Sequence, residues 1–240
     1  MNRIARAALV VVSLLLLTAG AAAQETASPT DTEVTNRLSF IQDALDGGKK
    51  AADFWWYGWF GGYSAATVGQ LIVYSGSDDE KQRQNMLVGS VTTALGAAGQ
   101  IVFPLEAGRF ASRLRAMPAT TPEQRRSKLA SADSFLRQAA AQESFGRSWK
   151  IHALTAAVNL AAGLVIWLHY DRPAQDGLAM FLVGQAISEA QIFSQPMKAV
   201  RDLQEYDRRT DFDRVSAAPG NGRKWYVAVY PAGFVVGCRF

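Results

Sequence analysis

Glu189 follows a charge-free run from Gly177 to Ser188, and a carboxylate in such surroundings needs hydrogen-bond donors or a counter-charge. At helical spacing it shares a polar stripe with Gln185, Ser188, Ile192 and Gln195. His152 and Asn159, seven residues apart, share the matching face of the preceding charge-free segment. His152, Asn159, Gln185, Ser188 and Glu189 therefore form a candidate interhelix polar cluster. Two roles fit it. One is a structural hydrogen-bond cluster between helices, which ordinary helix packing favours. The other is the polar interior path of a small membrane carrier or pore.

Other chemistry finds little to work with. His152 and His169 are the only histidines and lie seventeen apart, so no helix face offers both to a metal. Cys238 is the only cysteine, which excludes an internal disulfide and a four-cysteine metal site. No metalloprotease, nucleophile-elbow or P-loop pattern occurs. The expectation is a protein that is not an enzyme and carries no cofactor. A net charge of +4, two of it from Arg3 and Arg6, is no nucleic-acid footprint.

Residues 1–23 have the three parts of an export signal: Arg3 and Arg6, the apolar run Ala7 to Leu17, and Ala21-Ala22-Ala23 as a cleavage site. That points to the bacterial envelope, at the inner membrane or in the periplasm, with outer-membrane association as the alternative. Residues 24–52 read as a polar linker and a short amphipathic helix, Asn36 to Lys50, stopped by Gly47-Gly48.

The main body, 53–206, reads as two helical hairpins, 53–117 and 149–206, joined by an amphipathic helix over 121–146. Thr121 and Pro122 are good start signals for that connecting helix. The first hairpin opens on an aromatic belt, Phe54, Trp55, Trp56, Tyr57 and Trp59, and continues into Gly58, Gly62, Ala65 and Gly69. Those four small residues recur on one helix face, which predicts close helix packing within or between chains. Pro104 predicts a kink. Leu87-Val88-Gly89 is echoed by Leu182-Val183-Gly184, and Gln100-Ile101 before Pro104 by Gln191-Ile192 before Pro196. The pattern is that of a diverged hairpin duplication.

Residues 207–240 read as a charged loop and a β-hairpin, with strands at 224–230 and 234–240 around Pro231-Ala232-Gly233. Phe234, Val236, Cys238 and Phe240 alternate in a way that resembles the last strand of outer-membrane β-barrel proteins. The resemblance covers about seven residues, and the rest of the chain lacks the alternating strands a barrel needs. The hairpin remains a candidate docking edge for a protein partner.

Three charge-free windows, 54–77, 84–105 and 151–170, are long enough to cross a bilayer, and the fourth helix is poorer. Charge placement opposes the orientation that export imposes. The segments it puts outside hold 20 Lys and Arg: three in 24–53, nine in 108–150 and eight in 198–240. The expectation is a mainly α-helical four-helix bundle with a C-terminal β-hairpin, acting as a membrane-integrated structural or interaction subunit. The bilayer is its expected partner, and a homo-oligomer fits its small-residue face. A soluble periplasmic lipid-binding helical protein is the third reading.

Overall fold

The computed structural model describes residues 29–217, 224–230 and 233–239. It is mainly helical. Helix α1 runs unbroken from Asp31 to Gly76, followed by α2 (Glu80–Val102), α3 (Ala107–Ala116) and α4 (Pro122–Gly146). Helix α5 (Trp149–Leu164) ends in a π-helical turn, Val165–His169, before α6 (Ala174–Ser194) and α7 (Lys198–Ala217). Strands β1 (Lys224–Tyr230) and β2 (Gly233–Arg239) pair antiparallel, with Val227 opposite Val236. The expected export signal, 1–23, lies outside the described residues.

Three sequence expectations are corrected. Gly47-Gly48 does not end a helix: α1 starts at a Thr30 cap, inside the expected linker, and continues through both glycines. Each glycine costs about 1 kcal/mol of helix propensity, and close packing offsets it. A Cβ at Gly47 would lie 3.0 Å from Lys198 Cε, and one at Gly48 would just touch Ala107. Second, the proline signals mark full breaks. The expected helices 85–117 and 177–206 each divide in two, at Phe103–Glu106 and Gln195–Met197. Third, the charged stretch 208–214 is helical, part of α7, where Arg209 pairs with Glu205 one turn away.

The chain folds into two zones of opposite character. The first half of α1 packs with α3, α4 and α7 around Val34, Ile41, Leu45, Phe110, Leu114, Leu136 and Tyr206, all buried. Phe110 and Phe135 stack at 5.1 Å. The surface of this zone is charged and laced with ion pairs: Arg115–Asp46, Arg125–Asp31 and Arg137–Asp207 tie different helices together. Exposed pairs contribute at most about 1 kcal/mol each, so the apolar core carries the stability here.

The second zone is an arm made of the second half of α1 with α2, α5 and α6. The α1 and α2 segments pack as one pair and α5 and α6 as another. Its buried apolar cluster is small: Val88, Ala162 and Ile166. Every large apolar residue that is exposed among the described residues lies within 54–103 or 145–193. The arm is apolar outside and only thinly apolar inside.

The same order of elements occurs twice. A rising helix leads into the arm (α1, then α4 with α5), a descending helix returns (α2, then α6), and a proline break leads into a helix of the charged zone (α3, then α7). Helix α4 receives both breaks. Gln142 Oε1 accepts from the Glu106 amide at 3.0 Å, and Glu143 Oε2 accepts from the Val200 amide at 3.1 Å.

Glu143 is 3 % exposed. Burial pushes its carboxyl up to about 7, with the Val200 and Ala199 amides pulling part of the way back. The folded chain then binds a proton that the unfolded chain releases near 4.5. This contribution to stability is full below that value and is lost as pH rises through about 7. The loss is up to about 3 kcal/mol. Glu143→Gln keeps an acceptor for the Val200 amide and removes the titration. Thermal melts should show the variant close to the parent at pH 4 and clearly more stable at pH 8.

Candidate functional site

The five polar residues singled out from sequence meet across the α5–α6 seam. Glu189 Oε2 lies 2.9 Å from His152 Nδ1. Gln185 Nε2 donates to Glu189 Oε1 at 2.7 Å, one helical turn away. Asn159 Nδ2 donates to Gln185 Oε1 at 3.2 Å and to Ser188 Oγ at 3.0 Å. Asn159 is 6 % exposed and stands at the middle of α5 and its π-helical turn, and an amide buried there without partners would be costly.

His152 and Glu189 sit differently. Each side chain is about a third exposed; His152 lies three residues from the α5 start at Trp149, and Glu189 five from the α6 end at Ser194. That is roughly 4–8 Å of helix, close to the charged zone.

A cavity of about 410 Å³ separates the two helical pairs. Its walls come mainly from α2, α5 and α6, with Trp55, Tyr63 and Gln70 from α1. Asn159, Ser188, Gln191 and Gln195 face it, whereas Glu189, His152 and Gln185 are not among its lining residues. The cluster thus divides into a half facing the cavity and a half on the outer seam. No continuous polar path through Glu189 follows from this arrangement.

The aromatic belt also divides. Trp55 Nε1 donates to Gln191 O at 3.2 Å, Trp59 Nε1 to Ser194 Oγ at 3.0 Å, and Trp56 Nε1 to Gln100 O at 2.8 Å. Phe54 and Tyr57 point outward. The indoles therefore pin α1 to α2 and α6 at the level where the arm meets the charged zone, and only part of the belt forms an outer ring.

Gly58, Gly62, Ala65 and Gly69 are all exposed. A Cβ built at Gly58, Gly62 or Gly69 meets nothing within 4 Å. Among the described residues nothing packs on this face. The side of α1 that does pack carries Tyr63, Thr67 and Gln70, with Thr67 Oγ1 2.8 Å from Thr93 Oγ1.

Spacing did not single out the glycines at which two helix backbones meet. A Cβ on Gly163 would lie 2.5 Å from the Gly177 carbonyl oxygen, and one on Gly177 would lie 2.5 Å from that of Gly163. The α5 and α6 backbones touch there. The LVG echo has a structural counterpart: a Cβ on Gly89 would strike Gln70, and one on Gly184 would strike Asn159. In each helical pair, one glycine makes room for an amide of the partner helix.

Arg172 closes the far end. It donates to Asp176 Oδ2 at 2.6 Å and to Asn85 Oδ1 at 2.9 Å, linking the α5–α6 turn to α2. Among the described residues no group of three or more His, Cys, Asp or Glu is placed to hold a metal ion. No family model, curated protein or solved structure matches the chain, so geometry alone supports the functional reading.

Proposed function

We propose that this chain is a membrane-integrated helical subunit of the bacterial envelope, with a structural or docking role and no reaction of its own. In this reading the two helical pairs form a four-helix bundle within the bilayer, and the zone built on Phe110 stands in water beside it. The single observation that carries the reading is the segregation of exposed apolar side chains. Val68, Ile72, Val91, Leu160, Leu168 and Leu182 are all exposed on the arm and line no cavity, and large exposed apolar surface of this kind marks contact with lipid or a partner.

Helix length agrees. The arm segments of 21 to 23 residues reach about 32–35 Å at 1.5 Å per residue, enough for a hydrocarbon core of about 30 Å. Two stretches are long and apolar enough to cross a membrane, Glu80–Ala116 (α2, its break and α3) and Trp149–His169 (α5 with its π-helical turn), and only 22 % of the apolar window of either is buried. A core helix of a water-soluble bundle would be mostly buried. The α1 arm segment is charge-free but rich in Trp, Tyr and Gly, which lower its mean hydropathy and suit an interface or a helix contact.

Export through residues 1–23 would put the charged zone on the outer side, with the C-terminal strands as a docking edge for a partner. Membranes from cells expressing the chain, washed in alkaline carbonate, should retain it in the pellet. Release into the supernatant would instead fit the soluble lipid-binding reading, with the apolar belt covered by lipid or by another chain.

A further inference from the structure

The two helical pairs are joined at one end and parted at the other. Val88 and Ile166 meet near the turn clamped by Arg172. Toward the charged zone, α2 and α5 diverge, and the cavity lies between them. Its rim there is Leu95 and Val102 from α2, Phe103 just beyond its end and Leu154 from α5, all exposed as well as lining the cavity. The cavity therefore opens sideways onto the apolar belt. Its volume is that of a site for a small organic ligand, which runs from about 300 to 1,000 Å³.

One group inside it has no partner. Gln100 lines the cavity, is 2 % exposed, and its Nε2 makes no hydrogen bond. An amide left this way is costly to bury and retains its ability to donate. Gln100 stands two residues before the end of α2 at Val102, about 3 Å along the axis. At the same end, Arg147 Nη2 donates to the Phe193 and Gln195 carbonyls at 2.6 and 2.7 Å, while its Nε and Ser148 Oγ are buried without partners. They follow the cavity-lining residues Phe145 and Gly146 directly and precede α5, whose cap makes no side-chain hydrogen bond. An apolar cleft reached from the side, a donor just inside its mouth, and a cation with a helix start at the mouth match the parts of one molecule.

We infer that the cleft between α2 and α5 binds one glycerophospholipid. An acyl chain lies among Leu95, Val102, Leu154 and Val158, an ester carbonyl accepts from Gln100 Nε2, and the phosphate sits beside Arg147 at the start of α5. This inference rests on the membrane reading above and names a ligand for the cavity within it.

The test uses the full chain, purified in mild detergent, stripped of lipid, incubated with phosphatidylglycerol and freed of excess. Phosphorus is then counted per chain. The parent should retain about one lipid, in the manner of a single ligand-sized pocket. Gly99→Leu fills the cleft from α2 without a clash, since a Cβ there meets nothing within 4 Å, and it should abolish retention. Gly69→Leu, on the outer face of α1, should retain lipid like the parent. Ether-linked phosphatidylglycerol lacks the carbonyl and should bind the parent about 2- to 10-fold more weakly, the value of one hydrogen bond. That difference should vanish in Gln100→Leu.

Equal retention by the parent and a helical Gly99→Leu variant would overturn the inference. So would equal binding of ester and ether lipids by the parent. If washed membranes hold the chain while no lipid is retained, the inference falls and the membrane reading stands. Release of the chain by the wash overturns both.

Discussion

Replacing Phe110 with alanine should destabilise the charged zone by about 3–5 kcal/mol, the usual cost of emptying a buried aromatic site. Phe110 is 1 % exposed and stacks on Phe135, within a core shared by α1, α3, α4 and α7. Phe110 and Leu114 are the two large side chains by which α3 enters this core, and a helix of ten residues is too short to persist alone in water. The arm does not share this core, because its own buried cluster is separate. Limited trypsinolysis of the detergent-solubilised variant should therefore cut at Arg113, Arg126 and Arg137. The stretch from Ile151 to His169 contains no Lys or Arg and should survive as part of an undigested fragment. Loss of the arm at the same temperature would show that the two zones unfold as one unit.

The second large effect lies where α5 and α6 touch. Gly163→Val should separate the two helices, because its Cβ would fall 2.5 Å from the Gly177 carbonyl oxygen and 3.3 Å from Phe181 Cβ. Overpacking a tight site costs about 1–3 kcal/mol, and here the obstacle is backbone on both sides, which cannot change rotamer. Parting the helices would also strain the Asn159 bonds to Gln185 and Ser188. Gly69→Ala provides the opposite sign. Its Cβ meets nothing, and alanine gains about 1 kcal/mol of helix propensity over glycine. Melting temperatures in one detergent should move down for the first variant and up for the second.

Much of this is legible in sequence, for identifiable reasons. The polar cluster was readable because helical spacing alone puts Gln185, Ser188 and Glu189 on one face and His152 and Asn159 on another. Their bonding across a seam then follows from the need to satisfy buried amides. The helix expected over 177–206 ran through Pro196, but a kink at Pro104 was readable because proline removes a donor and clashes with the preceding turn. The length of the breaks was not, because it depends on Gln142 and Glu143 receiving the freed amides from a distant helix.

The glycines were read least well. Gly47-Gly48 looked like a stop signal, yet they lie where α3 and α7 come nearest to α1. The spacing of Gly58, Gly62, Ala65 and Gly69 marks a helix face but does not say which way it turns. In this chain it turns outward, and the close helix contact falls at Gly163 and Gly177. Spacing reveals faces, whereas partners are set by which faces can be buried together. The separation of a charged zone from an apolar arm was hidden for the same reason, since both are interleaved along one chain.

The most direct test of the account is the depth of single labels in a bilayer. Cysteines placed at Leu160 and Leu182 in the arm and at Ala116 in the charged zone, with Cys238 changed to serine, can each carry an environment-sensitive fluorophore. After reconstitution into phosphatidylcholine vesicles, nitroxide groups on the acyl chains should quench the labels at 160 and 182 strongly. The label at 116 should respond only to a water-soluble quencher. Equal access of the water-soluble quencher to all three labels would contradict the account and leave the arm as an apolar surface for another protein.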